Sequence, residues 1–360
     1  MGRSREVWQH VELGDAYARA ESSCREGRHE AWYSFAGRAV RIRCVGHQLA
    51  ERLAMPLSHL QCEPPNPPSP SLTIDLWSEC ETGVAVEPAV AVHPEGATAS
   101  YSASEDGRFA TSVLPHSVSS FDRESGRIVG SALGVEGLSL YEWGRPLHVP
   151  LSLWYNDRGV PLVHSAFVAQ LGDGVLLAGS SAAGKTTSSL SCVAGGFQYL
   201  ADDLAALEIR DDGTAWGHSV YASAFVDGGT IARVGGVSGM LADGAYPHED
   251  KRLLILPAGA DGPLRARARI RAVALLRIST SPVTRFHRLR QGEALLAMLR
   301  DGLQTGALHP GRIGLERLAD LAERVPAYRV DVGTKAAGIP VALRAMLADA
   351  GRPLPAEEPV

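Results

Sequence analysis

Lysine is scarce in this chain. Lys185, Lys251 and Lys335 are the only three in 360 residues, and the formal net charge is −5. The remaining basic residues are arginines with no block among them, and clustered cations are what nucleic acid and anionic membranes require, so neither is an expected partner. No apolar run approaches the roughly 18 residues that a membrane span needs. The stretch from Met1 to Arg28 is polar and carries no apolar signal segment. The five cysteines (Cys24, Cys44, Cys62, Cys80 and Cys192) are odd in number and show no C-x-x-C spacing. That pattern suits free thiols in a reducing compartment better than a disulfide framework. Together these absences predict a cytoplasmic protein. What is present is ordinary globular composition, 45% hydrophobic and 21% charged, in a chain long enough for two domains.

The clearest local pattern is Val175-Leu-Leu-Ala-Gly-Ser-Ser-Ala-Ala-Gly-Lys-Thr-Thr187. Gly179, Gly184, Lys185 and Thr186 fit G-x-x-x-x-G-K-[ST], the phosphate-cradling loop. The apolar run before it reads as a buried parallel strand, and the residues after it as a helix. In that context Gly179, Ser180, Ser181, Ala182, Ala183, Gly184, Lys185, Thr186 and Thr187 form a nucleotide-binding loop. Backbone N–H groups and the helix N-terminus hold a polyphosphate. Lys185 reaches the β/γ-phosphates, and the Thr186 hydroxyl ligates Mg²⁺.

Either side of the loop the chain divides by pattern. Residues 1–34 carry little periodicity. Val40, Ile42 and Cys44 alternate with arginines as a half-buried strand does, and Leu49 to Leu60 suits a short helix. The proline-rich 62–71 is a loop. Phe109–Leu114, Val118–Asp122 and Arg127–Leu133 are short strands joined by turns. Residues 1–147 are thus expected to form a β-rich N-terminal domain, suited to substrate recognition. Residues 148–350 form the P-loop domain, with a proline-rich tail over 351–360. In the second domain the pattern predicts a strand over Val163–Gln170 and another over Phe197–Ala201 running into Asp202 and Asp203. Further strands are expected near 250–257, 270–278 and 328–332, and helices over Gln291–Leu303, Leu315–Val325 and Ile339–Ala350.

Asp202 and Asp203 lie 17 and 18 residues beyond Lys185. A P-loop enzyme needs a carboxylate near Mg²⁺, and one that phosphorylates an alcohol also needs a base. One aspartate suits each role. His164 sits 21 residues before Lys185.

Val163-His164, Gly179–Thr187 and Gly196-Phe-Gln-Tyr-Leu-Ala-Asp-Asp203, in this order and spacing, resemble the catalytic domain of the HPr kinase/phosphorylase family. The likeness covers roughly 160–280. It implies an α/β (α+β) fold, with a mixed sheet like that of the phosphoenolpyruvate carboxykinases. It also implies ATP and Mg²⁺ as cofactors, Asp203 as the proton acceptor, Asp202 facing the metal, and His164 as a catalytic neighbour. The segment Arg324–Gly333 followed by Ile339-Pro340 resembles HPr-kinase-like proteins of biosynthetic clusters, including the kinases that tailor lasso-peptide precursors. Family members form multimers, so a homo-oligomer is implied.

Two departures narrow the reading. The Glu-Ile-Arg-Gly-type signature of the bifunctional enzymes is missing. Glu208-Ile209-Arg210 follows the aspartates too closely, Asp211 stands where the glycine belongs, and the glycine-rich 228–240 segment does not supply it. The family's N-terminal domain is not recognisable in 1–145. The expected activity is therefore ATP-dependent phosphorylation of a serine or threonine hydroxyl on a peptide or small protein, such as a biosynthetic precursor. The alternatives are a kinase of free serine or a sugar, and a nucleotide-binding regulator without catalysis. Lys251 or Arg252 is a further candidate phosphate contact.

Overall fold

A computed structural model describes residues 5–86, 100–235, 240–241, 251–259, 261–300 and 312–351. The proline-rich tail beyond Gly351, Leu303 at the end of its expected helix, and Gly236 and Gly239 lie outside these residues. The chain divides into two units, Met1–Tyr155 and Asn156–Val360. Among the described residues no helix is long and apolar enough to cross a membrane. All five cysteines are free.

The first unit is built on an eight-stranded sheet. In spatial order its strands are 61–62, 28–35, 38–45, 72–78, 127–132, 117–122, 109–114 and 100–103. The strand Leu72–Ser78 runs parallel to both its neighbours, and the three strand pairs of the hairpin-connected end are antiparallel. The alternating Val40, Ile42 and Cys44 are buried, as expected of a strand with one face on a core.

Residues 1–34, patternless by sequence, contain the helix Arg5–Ser23 and all but the last residue of the strand Arg28–Phe35. Leu13, Ala16, Tyr17 and Ala20 recur at helical spacing and pack on Val45, Trp77 and Val129. Two of those four are alanines, so the stripe is too thin in hydrophobic bulk to stand out from the sequence.

On this sheet Asp75 is fully buried and accepts from two arginines. Arg43 meets it through Nε and an Nη at 2.7 and 2.8 Å, and Arg127 through Nε at 2.7 Å. Both arginines keep about a third of their surface in water, at 32 and 33%. Removing the carboxylate leaves two cations facing one another at a buried position. We expect Asp75→Ala to cost about 3 kcal/mol, seen as a lower urea midpoint at neutral pH. An unchanged midpoint would show that the bridge contributes nothing net.

The second unit is a mixed α/β layer structure. Its sheet runs 198–201, 166–170, 173–178, 267–278, 215–218, 204–209 and 162–164. The strand Ala327–Val332 also pairs with Arg267–Ile278, and Arg285–Arg288 pairs with Ala327–Val332. The strand Asp173–Ala178 lies near the centre, parallel to Arg267–Ile278, which is itself parallel to Ala327–Val332. Val175 to Ala178 are fully buried, which explains the continuous apolar run.

Helices cover both faces of this sheet. Ile339, Leu343 and Met346 of Gly338–Ala350 join one core with Cys192 of Lys185–Ala194. Ala294 and Met298 of Gln291–Arg300, with Leu318 and Leu321 of Arg312–Arg324, join the other.

The expected single strand Val163–Gln170 is two strands. Leu162–His164 pairs with Leu204–Ala206, whereas Ala166–Gln170 pairs with Asp173–Ala178 and Gln198–Ala201. The break is at Ser165, whose N–H faces Val163 O at 3.0 Å and Asp203 O at 3.1 Å. The strand Arg285–Arg288 has no hydrophobic alternation and was not legible in the sequence.

Candidate phosphate-binding site

The loop Gly179–Gly184 leaves the buried strand Asp173–Ala178 and enters the helix Lys185–Ala194. Its path needs small residues. A Cβ on Gly179 would lie 2.6 Å from Ala183 Cβ and 3.2 Å from Leu276 O, so no larger residue fits. Ala182 and Gly184 both take left-handed backbone, with φ of 64° and 89°. Alternating left-handed residues turn successive N–H groups toward one side, the arrangement that cradles anions. Ser180, Ser181 and Ala182 are exposed at the rim, and Ala183 is buried beneath them.

Lys185 is 8% exposed. Its Nζ donates to Gly179 O at 2.8 Å and Ser180 O at 3.3 Å, curling the side chain over its own loop. Burial pushes its pKa down, the charges of Asp203 and Asp202 oppose that, and Lys251 adds to it. The loop lysine, both aspartates and Lys251 therefore share one electrostatic neighbourhood.

Asp202 and Asp203 follow directly on the strand Gln198–Ala201. Asp202 is 5% exposed. Its Oδ2 accepts from the Thr186 hydroxyl at 3.1 Å, and its Oδ1 from the Ser189 hydroxyl at 3.4 Å. Asp203 pairs with His164, Oδ1 to Nδ1, at 3.0 Å. The two adjacent carboxylates thus have different partners. One is tied to the loop's hydroxyl and the other to the histidine.

The structure brings Lys185, Thr186, Asp202, Asp203 and His164 together from three segments separated in sequence. Thr187 turns elsewhere. Its hydroxyl meets the Thr230 hydroxyl at 2.9 Å, in the short helix Gly228–Arg233 that Asp227 caps through Thr230 N at 2.6 Å. Sequence reasoning missed Thr230 and Ser189. The Asp227-Gly-Gly-Thr230 capping pattern could have flagged the first. Lys251 begins the strand Lys251–Ile255, directly opposite Asp227 on the neighbouring strand.

Hard oxygen donors from Thr186 and Asp202 fit Mg²⁺, which is held through one or two carboxylates plus phosphate oxygens rather than in an all-protein cage. Among the described residues no cluster of three or more His, Cys, Asp or Glu is placed to hold a metal by itself.

No protein-family model matches this chain, and no curated protein matches it in sequence. Among solved structures it is matched to the Hpr(Ser) kinase/phosphatase from Coxiella burnetii. The identity is 13% and the TM-score 0.27, over 52% of this chain and 97% of that one.

Glu208 and Arg210 have a structural account instead of a catalytic one. Glu208 Oε2 bonds His218 Nε2 at 2.8 Å and Arg210 Nε at 3.2 Å across the hairpin of Leu204–Ile209 and Ala215–His218. The His218 bond, then the nearby charges, hold the Glu208 carboxyl down from its ordinary 4.5 to about 2. A depressed carboxyl contributes stability that is complete above its unfolded value and is lost as pH falls through its folded one. Stability should therefore fall between pH 4.5 and about 2. Glu208→Gln should flatten that part of a stability-versus-pH curve. An unchanged acid limb would show that the pair carries no linkage.

Proposed function

We propose that this protein is an ATP- and Mg²⁺-dependent phosphotransferase acting on a hydroxyl group. The acceptor we favour is a serine or threonine of a peptide or small protein. The observation that carries the reading is the split between the aspartates: Asp202 on the Thr186 hydroxyl, Asp203 on His164, both beside Lys185. A nucleotide-binding scaffold needs the first of these pairs and has no use for the second.

In this reading the loop N–H groups hold the β-phosphate, and Lys185 exchanges its carbonyl partners for phosphate oxygens. Its charge then stabilises the phosphoryl group in transfer. Mg²⁺, when bound through Thr186 and Asp202, supplies charge neutralisation on the phosphates. Asp203 accepts the proton of the attacking hydroxyl, and His164 Nδ1 orients that carboxylate. The peptide acceptor and the homo-oligomer rest on the sequence resemblance, and the cytoplasmic location on the composition and cysteine pattern; all three belong to the same proposal.

The deciding experiment is transfer of radiolabel from γ-labelled ATP to a serine-containing peptide. Label appearing only in a small metabolite would move the acceptor to free serine or a sugar. ATP hydrolysis with no labelled acceptor would leave only a nucleotide-binding role. Thr186→Ala should raise the Mg²⁺ concentration for half-maximal transfer by about 10–100-fold. An unaltered Mg²⁺ dependence would remove Thr186 from the metal's coordination.

A further inference from the structure

One face of the sheet in the first unit is under-filled. Ser112 lies opposite Ser119, and Ser117 lies opposite both Leu114 and Ala132, so three adjacent strands place small side chains side by side. Sheet cores normally carry branched or aromatic residues at such positions. The resulting cavity, about 520 Å³ with its open mouth, is walled by Leu49, Leu53, Leu76, Leu138 and Val149. Ser112 lines it, is 4% exposed, and among the described residues its Oγ has no hydrogen-bond partner. A buried hydroxyl with nothing to bond is unfavourable unless a further group enters to meet it.

The wall chemistry limits what that group can belong to. Among the described residues no lysine or arginine lines the cavity; the titratable groups on its wall are Glu142 and His148. The Glu142 carboxylate is held by three donors: Ser117 Oγ at 2.8 Å, Ser139 N at 3.0 Å and His116 N at 3.2 Å. It is satisfied without a ligand, and its charge disfavours an anion. Apolar walls, one orphan hydroxyl and a fixed negative edge describe a site for an uncharged body with one polar end.

We propose that this cavity binds a small neutral aliphatic molecule whose single carbonyl or hydroxyl group pairs with Ser112 Oγ. The site is independent of the phosphotransfer reading, because every residue it uses lies in Met1–Tyr155.

Hexanamide and hexanoate are the probes, read by calorimetry and by saturation-transfer NMR on the full chain. Hexanamide should bind, with hexanoate at least about tenfold weaker because its charge must be desolvated beside Glu142. Ser119→Leu fills the cavity from the sheet and should weaken hexanamide by about tenfold or more. Leu53→Trp fills it from the half-exposed helix side and serves if the sheet variant does not fold. Ser112→Ala should reduce the preference for hexanamide over an alkane of equal length. The proposal is overturned if hexanamide shows no binding up to its solubility limit. It is equally overturned if both filling variants bind as wild type does, or if hexanoate binds as tightly as hexanamide.

Discussion

Replacing Lys185 by alanine is expected to lower phosphoryl transfer by about 10²–10³-fold, the loss typical of removing one preorganised charge from a transferring group. The reason lies in the site as built. The ammonium is 8% exposed, and desolvation already works against its charge. A cation held in such a place attracts a phosphate more strongly than one in water. It is kept there by two loop carbonyls, Gly179 O and Ser180 O, which a phosphate can replace without moving the backbone. Lys185→Arg should not rescue, since a planar fork is wider than the ammonium the loop closes around. The thermal midpoint should change little or rise, because a buried charge has been removed. Single-turnover transfer and a melting curve on the same preparation separate lost chemistry from lost fold. Transfer within a few-fold of wild type would end the P-loop reading.

Asp203→Asn should lower transfer by about 10²–10⁴-fold, the range for loss of a positioned general base. Nucleotide affinity should stay near wild type. Asparagine keeps the shape and a hydrogen bond to His164, but it cannot take a proton. The contrasting variant is Asp202→Asn, which should act through Mg²⁺ dependence, since Asp202 sits on the Thr186 hydroxyl. His164→Ala should be milder than Asp203→Asn, because the histidine acts through the carboxylate it orients at 3.0 Å. If Asp203→Asn turned over at the wild-type rate while Asp202→Asn did not, the two roles would be exchanged.

The contrast between Asp202 and Asp203 also marks where sequence reading stops. Both are acidic, adjacent and preceded by the same apolar strand, so nothing local assigns them different partners. The assignment comes from the break at Ser165, which turns Leu162–His164 away from Ala166–Gln170 and sets His164 beside Leu204. That break is made by hydrogen bonds to Val163 and to Asp203 itself, the second across 38 positions of sequence. Read as one uninterrupted strand, the segment would carry His164 on the end of the wrong strand. The helix Arg5–Ser23 was hidden for a different reason. Its buried stripe is half alanine, and only the sheet beneath it shows why those small residues suffice.

Local chemistry decided what consecutive residues could decide. The apolar run of Val175–Ala178, the glycines that allow a tight loop, and Lys185 and Thr186 at the start of a helix are all short-range features. The Pro-rich 62–71 and the turns between 109 and 133 are equally local, since proline and glycine act on their own φ angles. Tertiary structure alone decided the rest. It placed Asp202 on Thr186 and Asp203 on His164, tied Thr187 to Thr230, and gave Glu208 to His218. It also left Ser112 facing an unfilled space. Each of these contacts joins residues on different elements, whose separation in sequence carries no periodic signal. Sheet order and register bring them together, and register follows from which faces the whole unit buries.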